Sequence, residues 1–179
     1  MQKLLDKVSG PMLFILIGAA SRLFLHPPNF TPIAAMALFG GVYLNRKSAL
    51  VFPLLALFFS DIFIGFAPLD TAISVYGSFL LVGLIGRWLR EHRSPLNIIK
   101  ASFLSSILFF LITNFSVWVF WNLYPKTLPG LLEDYMMALP FFRNTLMGDL
   151  FYTGVFFGGY ELLRAAIGRK GVAILKVRP

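Results

Sequence analysis

The chain has 179 residues, of which 58% are hydrophobic, 16% aromatic and only 13% charged, with a formal net charge of +8. A mean hydropathy of +0.77 excludes an ordinary water-soluble domain, where about a quarter of residues carry charge. It predicts an all-α integral membrane protein. The absence of cysteine excludes disulfides, cysteine-ligated metals and cysteine nucleophiles. With His26 and His92 as the two histidines, no metal centre and no cofactor is expected.

Six apolar stretches run in chain order through residues 8–25, 32–45, 48–66, 71–89, 101–122 and 144–163. Several reach the ~20 residues that a membrane-crossing helix needs. Their continuity favours helices over the alternating pattern of a membrane barrel. Lys3 and Lys7 precede the first stretch, which continues through Arg22 to Pro27 without a small-residue cleavage site, so it reads as a retained helix. The second stretch carries Ala37 and Gly41, a small-xxx-small spacing that favours close helix contact. That spacing does not say whether the contact is internal or with another protein. Residues 1–179 read as one transmembrane domain, with a basic cytoplasmic tail from about residue 164.

The connections sort by charge. With a cytoplasmic N-terminus, Lys3, Lys7, Arg46, Lys47, Arg87, Arg90, Arg93, Lys100, Arg164, Arg169, Lys170, Lys176 and Arg178 lie inside, which is 13 of the 16 basic residues. Arg22, Lys126 and Arg143 lie outside. The positive-inside rule then predicts six spans with both termini cytoplasmic, in a bacterial inner membrane. It also accounts for the net charge without a nucleic-acid partner. A cationic inner rim suits anionic lipid.

The outer connections are Leu25–Thr31, Phe66–Thr71 and the long Leu123–Phe142. They are rich in proline and aromatics, which makes stiff loops suited to the membrane interface or to roofing a cavity. Pro129-Gly130 and the apolar residues after it predict a short helix on the outer surface, and Asn144 after Pro140 predicts a cap on the last span.

Ionisable groups inside spans usually face protein interior. Arg22, Asp61, Asn114, Arg143 and Asp149 fall on different helices but in the same outer leaflet, with Tyr76 close by. One expectation is structural: Arg22 or Arg143 pairs with Asp61 or Asp149. The other is a polar floor beneath an outward-opening pocket, walled by Phe30, Phe66, Trp118, Trp121, Tyr124 and Phe142. The candidate ligand-binding residues are therefore Arg22, His26, Asn29, Phe30, Asp61, Tyr76, Asn114, Trp118, Trp121, Arg143, Asn144 and Asp149. No phosphate-binding loop and no Ser-His-Asp grouping is evident, so no enzymatic role is expected. An intramembrane enzyme would need His26 to meet Asp70 or Asp149.

The runs His26-Pro27-Pro28-Asn29-Phe30-Thr31-Pro32, Phe59-Ser60-Asp61, and Leu139-Pro140-Phe141-Phe142-Arg143-Asn144 with Gly148-Asp149 resemble a family of small bacterial membrane proteins described as transport proteins. In architecture the chain also looks like the S components of energy-coupling-factor vitamin transporters. That resemblance implies a substrate-binding subunit for a small vitamin-like nutrient, held under the loops joining helices 1–2, 3–4 and 5–6. It also implies a transmembrane coupling subunit and two ATPase subunits as partners. Helix 1 departs from the family's Ala-xxx-Ala docking pair, offering Gly18, Ala19 and Ala20 instead, and there is no cysteine for cobalt ligation. The alternative function is a membrane scaffold or accessory subunit that binds no ligand, using Ala37 and Gly41 as its contact face.

Overall fold

The computed structural model describes residues 2–24 and 27–176, with side chains placed for 10–24 and 27–166. Its described residues form six helices and no strand. In chain order they are α1 (Gln2–Ser21), α2 (Ile33–Tyr43), α3 (Ser48–Ile64), α4 (Leu69–Glu91), α5 (Pro95–Phe120) and α6 (Leu128–Lys176).

The core is α2. This helix is apolar all round, and a helix with no polar face must be buried all round. Ten of its 11 residues, Ile33 through Val42, are buried, and it touches each of the other five helices. Phe39 is the centre of its C-terminal half. Its ring lies 5.8 Å from Phe14, 4.6 Å from Tyr43, 5.5 Å from both Phe156 and Phe157, and 5.3 Å from Tyr160.

The opposite wall of α2 is built from small residues. A side chain on Gly41 would come within 2.6 Å of the Gly86 backbone, and one on Gly86 within 2.6 Å of the Leu38 carbonyl. The Ala37/Gly41 spacing therefore marks an internal contact between α2 and α4, and no face is left there for another protein. Arg90 closes the C-terminal end of α2. Its Nε and Nη2 donate to the Gly41 carbonyl at 3.1 and 2.6 Å, and Nη2 also donates to the Leu44 carbonyl. A guanidinium thus takes carbonyls that the helix end leaves without backbone partners.

The peripheral helices turn large apolar side chains outward, among them Ile17, Phe63, Leu81, Leu104 and Phe151. An apolar exterior of this extent is what lipid contact requires. Leu69–Glu91 and Pro95–Phe120 are long and apolar enough to cross a membrane. At ~1.5 Å per residue, α2 extends only about 16 Å.

Three sequence expectations about the last helix are corrected: the long connection before it, the separate surface helix and the Asn144 cap. The connection after α5 is short, and α6 starts at Leu128 and runs unbroken through Pro140 for 49 residues. The short surface helix is therefore the first turns of α6. Asn144 lies inside the helix and caps nothing. The stretch after residue 164 continues as helix to Lys176. Proline removes one backbone donor and perturbs a ladder, but a long helix with packed neighbours tolerates it.

Candidate functional site

Two cavities share Asn29, Val75, Phe109 and Thr145 as walls. The first, about 230 Å³, lies between the start of α4, the second half of α5 and the Phe141–Thr145 turn of α6. The second, about 160 Å³, reaches inward to Arg22 and Asp149. Aromatic rings wall both, with Phe109 shared, Phe110, Phe141 and Phe142 in the first and Phe79 in the second.

Asn29 sits where both cavities meet. Its φ of 62° is in the left-handed region, which asparagine tolerates better than most residues. Pro27 and Phe30 close the turn around it, with the Phe30 N–H donating to the Pro27 carbonyl at 3.0 Å. Gly148 lets α6 approach this turn, because a side chain there would lie 3.0 Å from Phe30 Cα. Asn144 ties the two together, donating from Nδ2 to the Pro28 carbonyl at 3.1 Å. The Phe30 ring lies 5.8 Å from Phe151 and 5.6 Å from Tyr152.

The floor is charged. Arg22 Nη1 lies 2.9 Å from Asp61 Oδ1 and also donates to Ser60 Oγ. The other oxygen of Asp61 accepts from the Tyr76 hydroxyl at 2.6 Å. Arg22 Nε is buried and has no hydrogen-bond partner among the described residues. Asp149 is buried and forms no ion pair among the described residues. It accepts from Ser106 Oγ at 2.7 Å, across the α5–α6 interface.

The hydroxyls of the first cavity donate within their own helices. Thr113 Oγ1 donates to the Phe109 carbonyl at 2.8 Å, Thr145 Oγ1 to Phe141 at 3.0 Å, and Asn114 Nδ2 to Phe110 at 2.7 Å. These bonds stay inside their own helices, leaving the hydroxyl and amide oxygens to accept and one Asn114 amide hydrogen to donate.

The sequence-predicted residues separate into three groups. Arg22, Asn29, Asn114 and Asp149 line the cavities, while Asp61, Tyr76, Phe30 and Asn144 hold the lining in place through the contacts above. Trp118, Trp121 and Arg143 stand apart. Trp118 Nε1 donates to the Pro125 carbonyl at 3.0 Å, and Trp121 Nε1 donates to Asp70 Oδ2 at 3.1 Å. Arg143 is exposed and forms no ion pair among the described residues. The expectation of two mixed-sign pairs is thus corrected to one, because Asp149 takes a serine partner and Arg143 turns away from the bundle. His26 lies outside the described residues. Sequence reasoning missed Ser60 and Ser106, which hold the two carboxylate-bearing sites, and Thr71, Thr113 and Thr145 on the walls. Their signal was present: hydroxyls recurring at helical spacing in otherwise apolar spans.

A family model described as "Family of unknown function (DUF6580)" matches residues 2–171. No curated protein and no solved structure matches the chain.

Proposed function

The chain belongs to the DUF6580 family, and from the geometry of its own residues we propose that it is a membrane subunit that binds a small organic nutrient for uptake. The observation that carries this reading is the pair of joined cavities, aromatic-walled and lined by Arg22, Asn29, Asn114 and Asp149. A mostly apolar hollow with a few convergent polar groups is the usual form of a small-molecule site. The lining fixes the ligand's character. The Arg22–Asp61 pair is neutral as a unit and the Thr113 and Thr145 hydroxyl hydrogens are engaged, while Arg22 Nε and a second Asn114 amide hydrogen remain to donate. The ligand therefore carries acceptors for these N–H groups, N–H or O–H donors for the vacant oxygens, and an apolar body for the phenylalanines. A strong anion does not fit beside Asp149.

In this reading the chain passes a bacterial inner membrane six times with both termini in the cytoplasm, the short α2 enclosed by the other five helices, and the cavities open in the outer half under the Pro27–Pro28 turn. The 13-to-3 division of the 16 basic residues supports that orientation. Energy comes from separate subunits of the kind S components use, a coupling protein and two ATPases. The scaffold alternative loses its expected contact face, since Gly41 packs against Gly86 within the chain.

Native mass spectrometry of gently purified protein tests the proposal by seeking a co-purified small molecule. With that molecule in hand, affinity is expected to fall about tenfold or more in Asp149→Asn and in Asn114→Leu, the loss of one buried polar contact. Unchanged binding by both folded variants removes the assignment.

A further inference from the structure

Three arginines meet at the other end of α4. Arg87 and Arg90 come from its last two turns and Arg46 from the α2–α3 connection. With Leu84, Trp88 and Glu91 they line a cavity of about 350 Å³. Residues 84, 87, 88 and 91 follow the spacing of one helix face. Arg87 is sixteen residues from Thr71 on the nutrient cavity, roughly 24 Å along the helix, so the two hollows are separate.

The charge here is unbalanced. Three guanidiniums face one carboxylate, and none of the ion pairs among the described residues includes any of these groups. Arg90 is committed to the Gly41 and Leu44 carbonyls, which accept its hydrogens but cancel no charge. Arg46 and Arg87 make no hydrogen bond among the described residues. Like charges gathered this closely repel, and an anion between them relieves the repulsion. Arginine presents paired donors that match phosphate oxygens. The surroundings indicate where such an anion comes from. Trp88 is half exposed, and Leu84, Leu81 and Leu80 are exposed along the same helix toward its middle. A cationic mouth above an apolar track matches an amphiphile with its headgroup at the membrane rim.

We propose that Arg46, Arg87 and Arg90 form a seat for a phosphate ester, supplied by the headgroup of an anionic phospholipid in the inner leaflet. This site is independent of the nutrient cavity and shares no residue with it.

Native mass spectrometry with phosphatidylglycerol, phosphatidylcholine and inorganic phosphate as probes tests it. Wild-type protein is expected to retain phosphatidylglycerol in preference to phosphatidylcholine. The double variant Arg46→Gln/Arg87→Gln is expected to lose about fivefold or more of that retention, on the order of 1 kcal/mol. The exposed inner-end pair Lys47→Gln/Lys100→Gln, matched in charge, is expected to keep it. Competition by millimolar inorganic phosphate that depends on Arg46 and Arg87 supports the same seat and assigns it to a soluble phosphate. Equal retention of both lipids with no phosphate binding overturns the proposal, and the wild-type comparison needs no variant to fold. An equal loss in the two double variants also overturns it, because diffuse rim charge then explains the binding.

Discussion

Arg22 Nη1 lies 2.9 Å from Asp61 Oδ1, joining the turn after α1 to α3 through side chains that are only 11% and 13% exposed. Ser60 and Tyr76 complete the site by bonding the guanidinium and the carboxylate. A buried pair adds little net stability, but breaking it by removing one partner leaves an uncompensated charge, which costs about 3–5 kcal/mol. Asp61→Ala is therefore expected to melt well below wild type in detergent, followed by circular dichroism. The apolar replacement Arg22→Met/Asp61→Leu is expected to melt above either single variant. A double variant less stable than both singles would show that the pair is not the unit described.

The contact of α2 with α4 predicts opposite outcomes for two glycines of the same helix. A Cβ at Gly86 would lie 2.6 Å from the Leu38 carbonyl oxygen and 2.9 Å from Leu38 Cα, and backbone cannot yield as a flexible side chain does. Gly86→Ala is expected to destabilise by roughly 1–3 kcal/mol, the usual loss from overpacking. At Gly77 a Cβ meets nothing within 4 Å. Gly77→Ala is expected to raise the melting temperature, with a gain of up to about 1 kcal/mol from helix propensity alone. Equal effects at the two sites would contradict the close approach.

Two neighbouring serines on α5 differ in what they hold. Ser106 donates to Asp149 at 2.7 Å, whereas Ser105 donates to its own helix at the Ala101 carbonyl, also at 2.7 Å. Ser106→Ala removes a partner from a buried carboxylate and is expected to destabilise by about 1–3 kcal/mol. Ser105→Ala leaves a carbonyl already bonded within the helix and is expected to stay within about 1 kcal/mol of wild type. Chemical or thermal unfolding of the two variants side by side measures the difference.

Asp134, in the first turns of α6, is buried, and its Oδ2 has no hydrogen-bond partner among the described residues. Burial pushes its carboxyl above the ordinary range, and Lys126 partly opposes that. A folded-state value raised above the unfolded one gives stability that is present at low pH and lost as pH rises through the folded value. Asp134→Asn is therefore expected to be more stable than wild type near pH ~8, with the gap closing toward pH ~4, where the aspartate approaches protonation. Melting curves across that range check it. A gap that widens on acidification would reverse the assignment.

The number of helices was legible in the sequence because apolar run length reports it directly. Their ends were less so, because hydropathy tracks polarity and not hydrogen bonding. The fifth helix starts at Pro95, six residues before the apolar stretch begins. Ser94 caps it by accepting from the Asn97 N–H at 3.1 Å. Ser-Pro is a start signal that an apolar window passes over. Pro140 misled in the other direction, reading as a break in what is one continuous helix. For the cavities, Arg22, Asn114 and Asp149 were nameable because charge and amide groups are rare in such spans. Which of them meet was not. Depth along a span places residues in one leaflet, but rotation about the helix axis decides that Arg143 faces out while Asp149, six positions on, faces in.

The burial of α2 bears on how the chain enters a membrane. Eleven residues cover about half of a hydrocarbon core ~30 Å thick, so this segment makes a poor independent span. Its glycines and alanines suit contact with protein better than contact with lipid. Insertion one helix at a time would leave α2 without a stable position until its neighbours arrive. The packing of α2 is complete only when α6 brings Phe156, Phe157 and Tyr160 to Phe39, and truncated chains ending before α6 are expected to be substrates for membrane quality-control proteases.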